Sequence, residues 1–96
     1  MESKKEIELE NNKYSIIENK NDCLDIEELK NKYTDYFEPY DYILGDYAYN
    51  KLRLKGFCAK NNKIFNDINN IDTKDKYLKD LCAYGCNYFL IKKLKK

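Results

Sequence analysis

Tyr88, Phe89, Leu90 and Ile91 follow one another without a polar interruption in a chain of only 96 residues. In a strand, neighbouring side chains point to opposite faces of the sheet. An apolar run of this kind therefore needs cover on both faces, and it predicts a strand in the middle of a sheet. A middle strand in turn requires partners on either edge, and the chain must supply them from its remaining residues.

Candidates stand at regular intervals. "EIEL" and "KYSII" alternate apolar and polar residues on either side of Asn11–Asn12, which predicts a β-hairpin over residues 5–18 with the asparagines in the turn. Residues 19–23 read as a loop. Asp25 stands where a helix N-cap belongs, and Glu28 three residues later completes a capping-box pattern. Ile26, Leu29, Tyr33, Tyr36 and Phe37 then recur at helical spacing, so a helix is predicted from Asp25 to Phe37, ended by Pro39. "YDYILG" has strand composition, with Gly45 free to bend the backbone, and "KLRLKGF" follows as its partner. Residues 59–71 are rich in asparagine and read as a long loop, pinned by Ile64, Phe65, Ile68 and Ile71. Asp72 or Thr73 caps a second helix with Tyr77, Leu78, Leu81 and Cys82 on its buried stripe, and Gly85 suits its C-terminal turn.

The order is ββ-α-ββ-α-β. It predicts an α+β fold: a single domain over residues 1–96, with a mixed, mostly antiparallel sheet and two helices packed on one face. Residues 1–4 and 92–96 are expected to be mobile ends.

Ten tyrosines and four phenylalanines give this short chain large areas to bury. No apolar stretch approaches the length of a membrane span, and "MESKKEIELE" is charged where a secretion segment is hydrophobic. The expected location is cytoplasmic, and Cys23, Cys58, Cys82 and Cys86 are then expected as thiols. Their spacing lacks the close pairs of zinc sites and the CxxC of redox dithiols, so a structural role is expected for Cys82 and Cys86 and no metal is assigned. There is no histidine, which removes histidine-based acid–base and metal chemistry, and three glycines cannot build a phosphate-cradling loop. Asp41 and Asp46 bracket a strand, where aspartates act mainly as turn formers and ion-pair partners. A non-enzymatic protein without a cofactor is the expectation.

Charge is distributed unevenly. Residues 1–46 carry six Lys/Arg against thirteen Asp/Glu, net −7, whereas residues 47–96 carry twelve against four, net +8. Within the basic half, Lys51, Arg53 and Lys55 alternate with Leu52 and Leu54, so a strand puts the three cations on one side, about 7 Å apart at a rise of ~3.3 Å per residue. That spacing suits successive phosphates, and Tyr47 and Tyr49 could stack on unpaired bases. A nucleic-acid partner, or a component of the transcription or translation machinery, is the first functional reading. Two plainer explanations stand beside it: a solvated sheet face, and lysines that keep an exposed strand from pairing edge to edge. The alternative functional reading is a protein–protein adaptor with Tyr36, Phe37, Tyr40 and Tyr42 as interface anchors.

"YDYILGD", "LRLKGF" and the arrangement of Cys82, Gly85, Cys86, Tyr88 and Phe89 resemble the YutD family of small proteins from low-GC Gram-positive bacteria. The resemblance runs from the first strand to the last. It implies the α+β domain above and a role as a transcription modulator, and it implies no catalytic residues. Tyr47, where the family more usually carries tryptophan, and the polar loop at 59–71 are local departures.

Overall fold

The computed structural model describes residues 6–48, 51–81 and 87–94. The strands are β1 (Glu6–Leu9), β2 (Asn12–Asn19), β3 (Tyr42–Ala48), β4 (Lys51–Phe57) and β5 (Tyr88–Lys93), and the helices are α1 (Ile26–Lys32) and α2 (Lys74–Leu81). All five strands form one sheet in the order β1-β2-β5-β3-β4, with every neighbouring pair antiparallel. The apolar run of β5 occupies the middle, as its composition requires. The last strand in the sequence thus joins two local hairpins. Lys92 and Lys93, expected in a mobile tail, pair with Ser15 and Tyr14, and the Leu94 N–H donates to the Lys13 carbonyl at 2.8 Å.

The first hairpin turns one residue earlier than the sequence suggested. Glu10 and Asn11 have φ of 47° and 73°, so Leu9 pairs with Asn12 across a two-residue turn. Two consecutive positive φ values match the right-handed twist of the flanking strands. In β2 the register with β5 shifts between Ile16 and Glu18, and the extra residue, Ile17, is exposed.

Asp25 caps α1 as predicted, its Oδ1 accepting from the Glu28 N–H at 3.2 Å. The helix is shorter than its apolar periodicity implied. Tyr33 is already extended (ψ 134°), and Thr34 caps a separate 3₁₀ turn, Asp35–Phe37, by accepting from the Tyr36 N–H. The break costs little burial, because Tyr33 and Phe37 both still reach the core. A 3₁₀ turn, Ile71–Thr73, leads into α2, and its cap is Asn70 rather than Asp72 or Thr73.

The two helices lie on opposite faces, not on one. Ile43, Leu52, Phe89 and Ile91 join Leu29, Tyr33 and Phe37 in one buried cluster. Leu44, Phe57 and Leu90 form another, against which Tyr77 and Leu78 of α2 pack. Ile43 and Leu44 are neighbours in β3, as Leu90 and Ile91 are in β5, so alternation alone sends the two clusters to opposite sides. A strand that is apolar on both faces is satisfied only by one helix on each.

Candidate functional site

β4 is an outer strand, and both functional readings of the sequence converge on it. Its register with β3 places Asp46 opposite Arg53, Leu44 opposite Lys55 and Ala48 opposite Lys51. Lys51, Arg53 and Lys55 therefore do share a face, the one that carries α2. They are not equally available there. The Arg53 guanidinium donates twice to Asp46, from Nε to Oδ1 at 3.1 Å and from Nη2 to Oδ2 at 2.9 Å. Asp46 is 1% exposed while the Arg53 side chain is 41% exposed, so the arginine neutralises a carboxylate that has left water. Lys55 holds its ammonium 5.2 Å from the Phe57 ring centre and 5.6 Å from that of Tyr77. Lys51 is exposed.

Tyr47 stands on the other face. It pairs with Leu52 rather than with a cation, packs against the α1-side core, and donates its hydroxyl to the Cys23 carbonyl at 3.1 Å. Burial there raises its pKa. The sheet consequently separates the Tyr47 ring from the basic row that was expected to work with it. Tyr49, Cys82, Gly85 and Cys86 lie outside the described residues. Asp41 is equally committed to structure: its Oδ2 accepts from the Ala59 N–H at 2.8 Å and from Asn62 Nδ2 at 3.0 Å. Among the described residues no group of three or more potential metal ligands comes together. Cys58 is buried and Cys23 half-buried, and burial raises the pKa of both thiols.

Of the four aromatic anchors, three assemble. Tyr36 is 62% exposed, its ring meets Phe37 edge-on at 5.1 Å and that of Tyr40 at 5.6 Å, and the two tyrosine hydroxyls lie 3.2 Å apart. That hydroxyl contact, with burial second, pushes the Tyr40 pKa up to about 12. Tyr40 is seated on Gly56 of β4, where a Cβ would come within 2.4 Å of Tyr40 Cγ. Only a glycine lets the ring lie this low, so Gly56 sets the height of the aromatic shelf. Tyr42 is elsewhere, on the α2-side face beneath the Lys92 ammonium.

A groove of about 390 Å³ runs along this side of the molecule. Tyr36, Tyr40 and Leu54 line it from one face of the sheet, Lys55 and Tyr77 from the other, with Ile68 of the loop also contributing. A cavity lined from both faces straddles the edge of β4. Ile68, read from sequence as a residue that pins its loop, is 77% exposed instead. The loop is held by asparagine amides. Asn69, 6% exposed, accepts from the Asn66 N–H at 2.8 Å and donates to the Ile64 carbonyl at 2.9 Å, and Asn66 accepts from the Ile68 and Asn69 N–H groups. These amides replace backbone partners in a loop without regular structure. The signal was present as asparagine spacing, but a composition rich in asparagine throughout concealed it.

No helix among the described residues is long and apolar enough to cross a membrane. Residues 8–92 match a family model described as "Putative antitoxin YutD-like". A curated protein of Bacillus subtilis (strain 168), "Putative antitoxin YutD", is 37% identical over 88 residues, covering 92% of this chain and 97% of that one. The solution NMR structure of protein yutD from B. subtilis superposes with a TM-score of 0.81 at 35% identity, over 99% of this chain and 86% of the other. The extent of the match, the degree of identity and the structural superposition agree: the chain belongs to the YutD-like family.

Proposed function

We propose that this domain is a non-catalytic cytoplasmic binding protein whose partner is another protein, met at the groove beside β4. The observation that carries the reading is a pair of large apolar side chains, Tyr36 and Ile68, left 62% and 77% exposed along one groove. Exposed apolar groups gathered at a concave site are what a protein interface uses as anchors. The word antitoxin in the description of its relatives points the same way, since an antitoxin acts on a toxin. This is the adaptor reading with its centre shifted: Tyr36, Phe37 and Tyr40 stay, Tyr42 leaves, and Ile68 enters. The nucleic-acid reading retains Lys51 as an exposed cation, but Arg53 is engaged by Asp46 and Tyr47 faces away.

Capture from cells of the source organism with tagged domain, at low and high salt, tests the choice. The expected result is a protein retained at high salt by the wild type and lost from Tyr36→Ser/Ile68→Ser, with the melting temperature of the variant unchanged. If the retained material instead absorbs at 260 nm, is stripped by salt and is lost from Lys51→Ala, a nucleic acid is the partner and the protein-binding reading fails.

A further inference from the structure

Lys55 differs from the two cations beside it in what surrounds its charge. Arg53 is spent on Asp46, and Lys51 stands in water. Lys55 is half-buried, its ammonium 5.2 Å from the Phe57 ring centre and 5.6 Å from that of Tyr77. Among the described residues no carboxylate forms an ion pair with it. Ring faces attract an ammonium but leave its full charge in place. Among the described residues that line the groove, Lys55 is also the one charged side chain.

The other polar groups of that lining have hydrogens to give. Asn66 Oδ1 accepts from the Ile68 and Asn69 N–H groups, which fixes the amide and leaves its Nδ2 hydrogens without a partner among the described residues. The Tyr36 and Tyr40 hydroxyls lie 3.2 Å apart, so one hydrogen is spent between them and the other is not. An ammonium, an amide nitrogen and a hydroxyl hydrogen all donate, whereas a carboxylate offers acceptors only. Around these donors Tyr36 is 62% and Ile68 77% exposed, and Leu54 lines the same groove.

We infer that the groove receives an aspartate or glutamate of the partner together with a large apolar side chain next to it: the carboxylate meets Lys55, and the apolar group packs on Tyr36 and Ile68. This rests on the protein-binding reading above and specifies its chemistry. Two rings exclude water from part of the Lys55 ammonium, so a carboxylate brought there forms a charge-assisted bond in a drier place than open surface gives. A cation is refused at the same position, and an amide has no charge to set against the lysine. This chain carries exposed segments of the required kind in Ile17–Glu18 and Ile26–Glu27. A copy that docked one of them would leave its own groove open, and the contact would repeat into an open chain of molecules. A separate partner leaves a finite complex.

The probe is phenylbutyrate, an apolar ring joined to one carboxylate, with phenylbutanamide and phenylbutylamine as its neutral and cationic counterparts, each titrated into ¹³C,¹⁵N-labelled full chain. The Ile68 methyl, Tyr36 ring and Lys55 Hε signals are expected to shift together with the acid, to require about tenfold more of the amide, and to stay in place with the amine. Lys55→Met keeps a straight apolar chain against Phe57 and Tyr77. It should lower acid affinity to that of the amide and leave amide affinity unchanged. The three probes compared on the wild type decide the question even if that variant fails to fold. Equal affinity for acid and amide overturns the inference, as do acid-induced shifts centred on Lys51 or Lys92 instead. So do Ile68 signals that move on dilution together with those of Ile17 or Ile26, since a second copy is then the occupant. If a protein held from cells by way of Tyr36 and Ile68 is held equally well by Lys55→Met, the carboxylate falls and the protein-binding reading stands. If the groove takes the acid while no protein is retained, the protein-binding reading falls and a small apolar acid is left as the ligand of the groove.

Discussion

Arg53→Ala separates the structural use of the basic row from any use in binding. The substitution leaves Asp46, 1% exposed, without the two hydrogen bonds it accepts at 3.1 and 2.9 Å. Stranding one member of a fully buried ion pair costs about 3–5 kcal/mol. Here the Arg53 side chain is 41% exposed, so water can enter the space it vacates and solvate part of the carboxylate. The expected loss is accordingly smaller, about 2–3 kcal/mol. Against a total stability of about 5–15 kcal/mol this is a large fraction. Urea unfolding with an m value of about 1–3 kcal/mol per molar would show it as a midpoint lowered by roughly 0.7–3 M. Arg53→Ala/Asp46→Asn should recover part of the loss, since the amide no longer carries an uncompensated charge, whereas Lys51→Ala should move the midpoint by less than ~0.5 M. A loss below about 0.5 kcal/mol in Arg53→Ala would refute the reasoning, because Asp46 would then have adequate partners elsewhere.

Two further outcomes follow from packing and ionisation. At Gly45 an added Cβ would come within 2.1 Å of Phe89 Cζ, against an ordinary carbon contact of ~3.5–4.0 Å, so Gly45→Ala should cost about 1–3 kcal/mol or more. Combined with Phe89→Leu it should cost less than the sum of the two single changes in urea unfolding. Tyr14, Tyr47, Tyr77 and Tyr88 have raised pKa values chiefly because of burial, and Tyr40 because of its contact with Tyr36. Unfolded tyrosine ionises near pH 10, so above that pH the unfolded chain releases protons that the folded one keeps, and stability falls toward the folded values by about 1.4 kcal/mol per pH unit for each such ring. Alkaline unfolding should begin above about pH 10, with tyrosinate absorbance rising cooperatively, and Tyr14→Phe should flatten the slope.

Much of the fold was legible because its signals are local. Asp25 announces a cap within one turn, β1 and β4 alternate with period two, and Tyr88–Ile91 is apolar on both sides. The misplaced features depend on relations across the chain. A helical period continues through Tyr36 and Phe37, but Thr34 takes the backbone out of the helix and starts a tighter turn. Nothing within α2 states which side of the sheet it covers. The need was written in β5, whose residues demand a layer on each face, and honouring that demand would have separated the two helices.

The candidate site divides in the same way. That Lys51, Arg53 and Lys55 share a face follows from strand geometry and needs no coordinates. That Arg53 is claimed by Asp46 depends on the register of two strands, and a shift of one residue would have turned Asp46 to the other face. Burial side for Tyr47, the descent of Tyr40 onto Gly56 and the exposure of Ile68 likewise depend on which segments meet. Residue order decided this protein's elements, its central strand and the alternating cations, because those are matters of nearest neighbours along the backbone. Tertiary structure alone decided which charges are spent internally and which apolar side chains stay exposed, because both depend on distances between residues far apart in the chain.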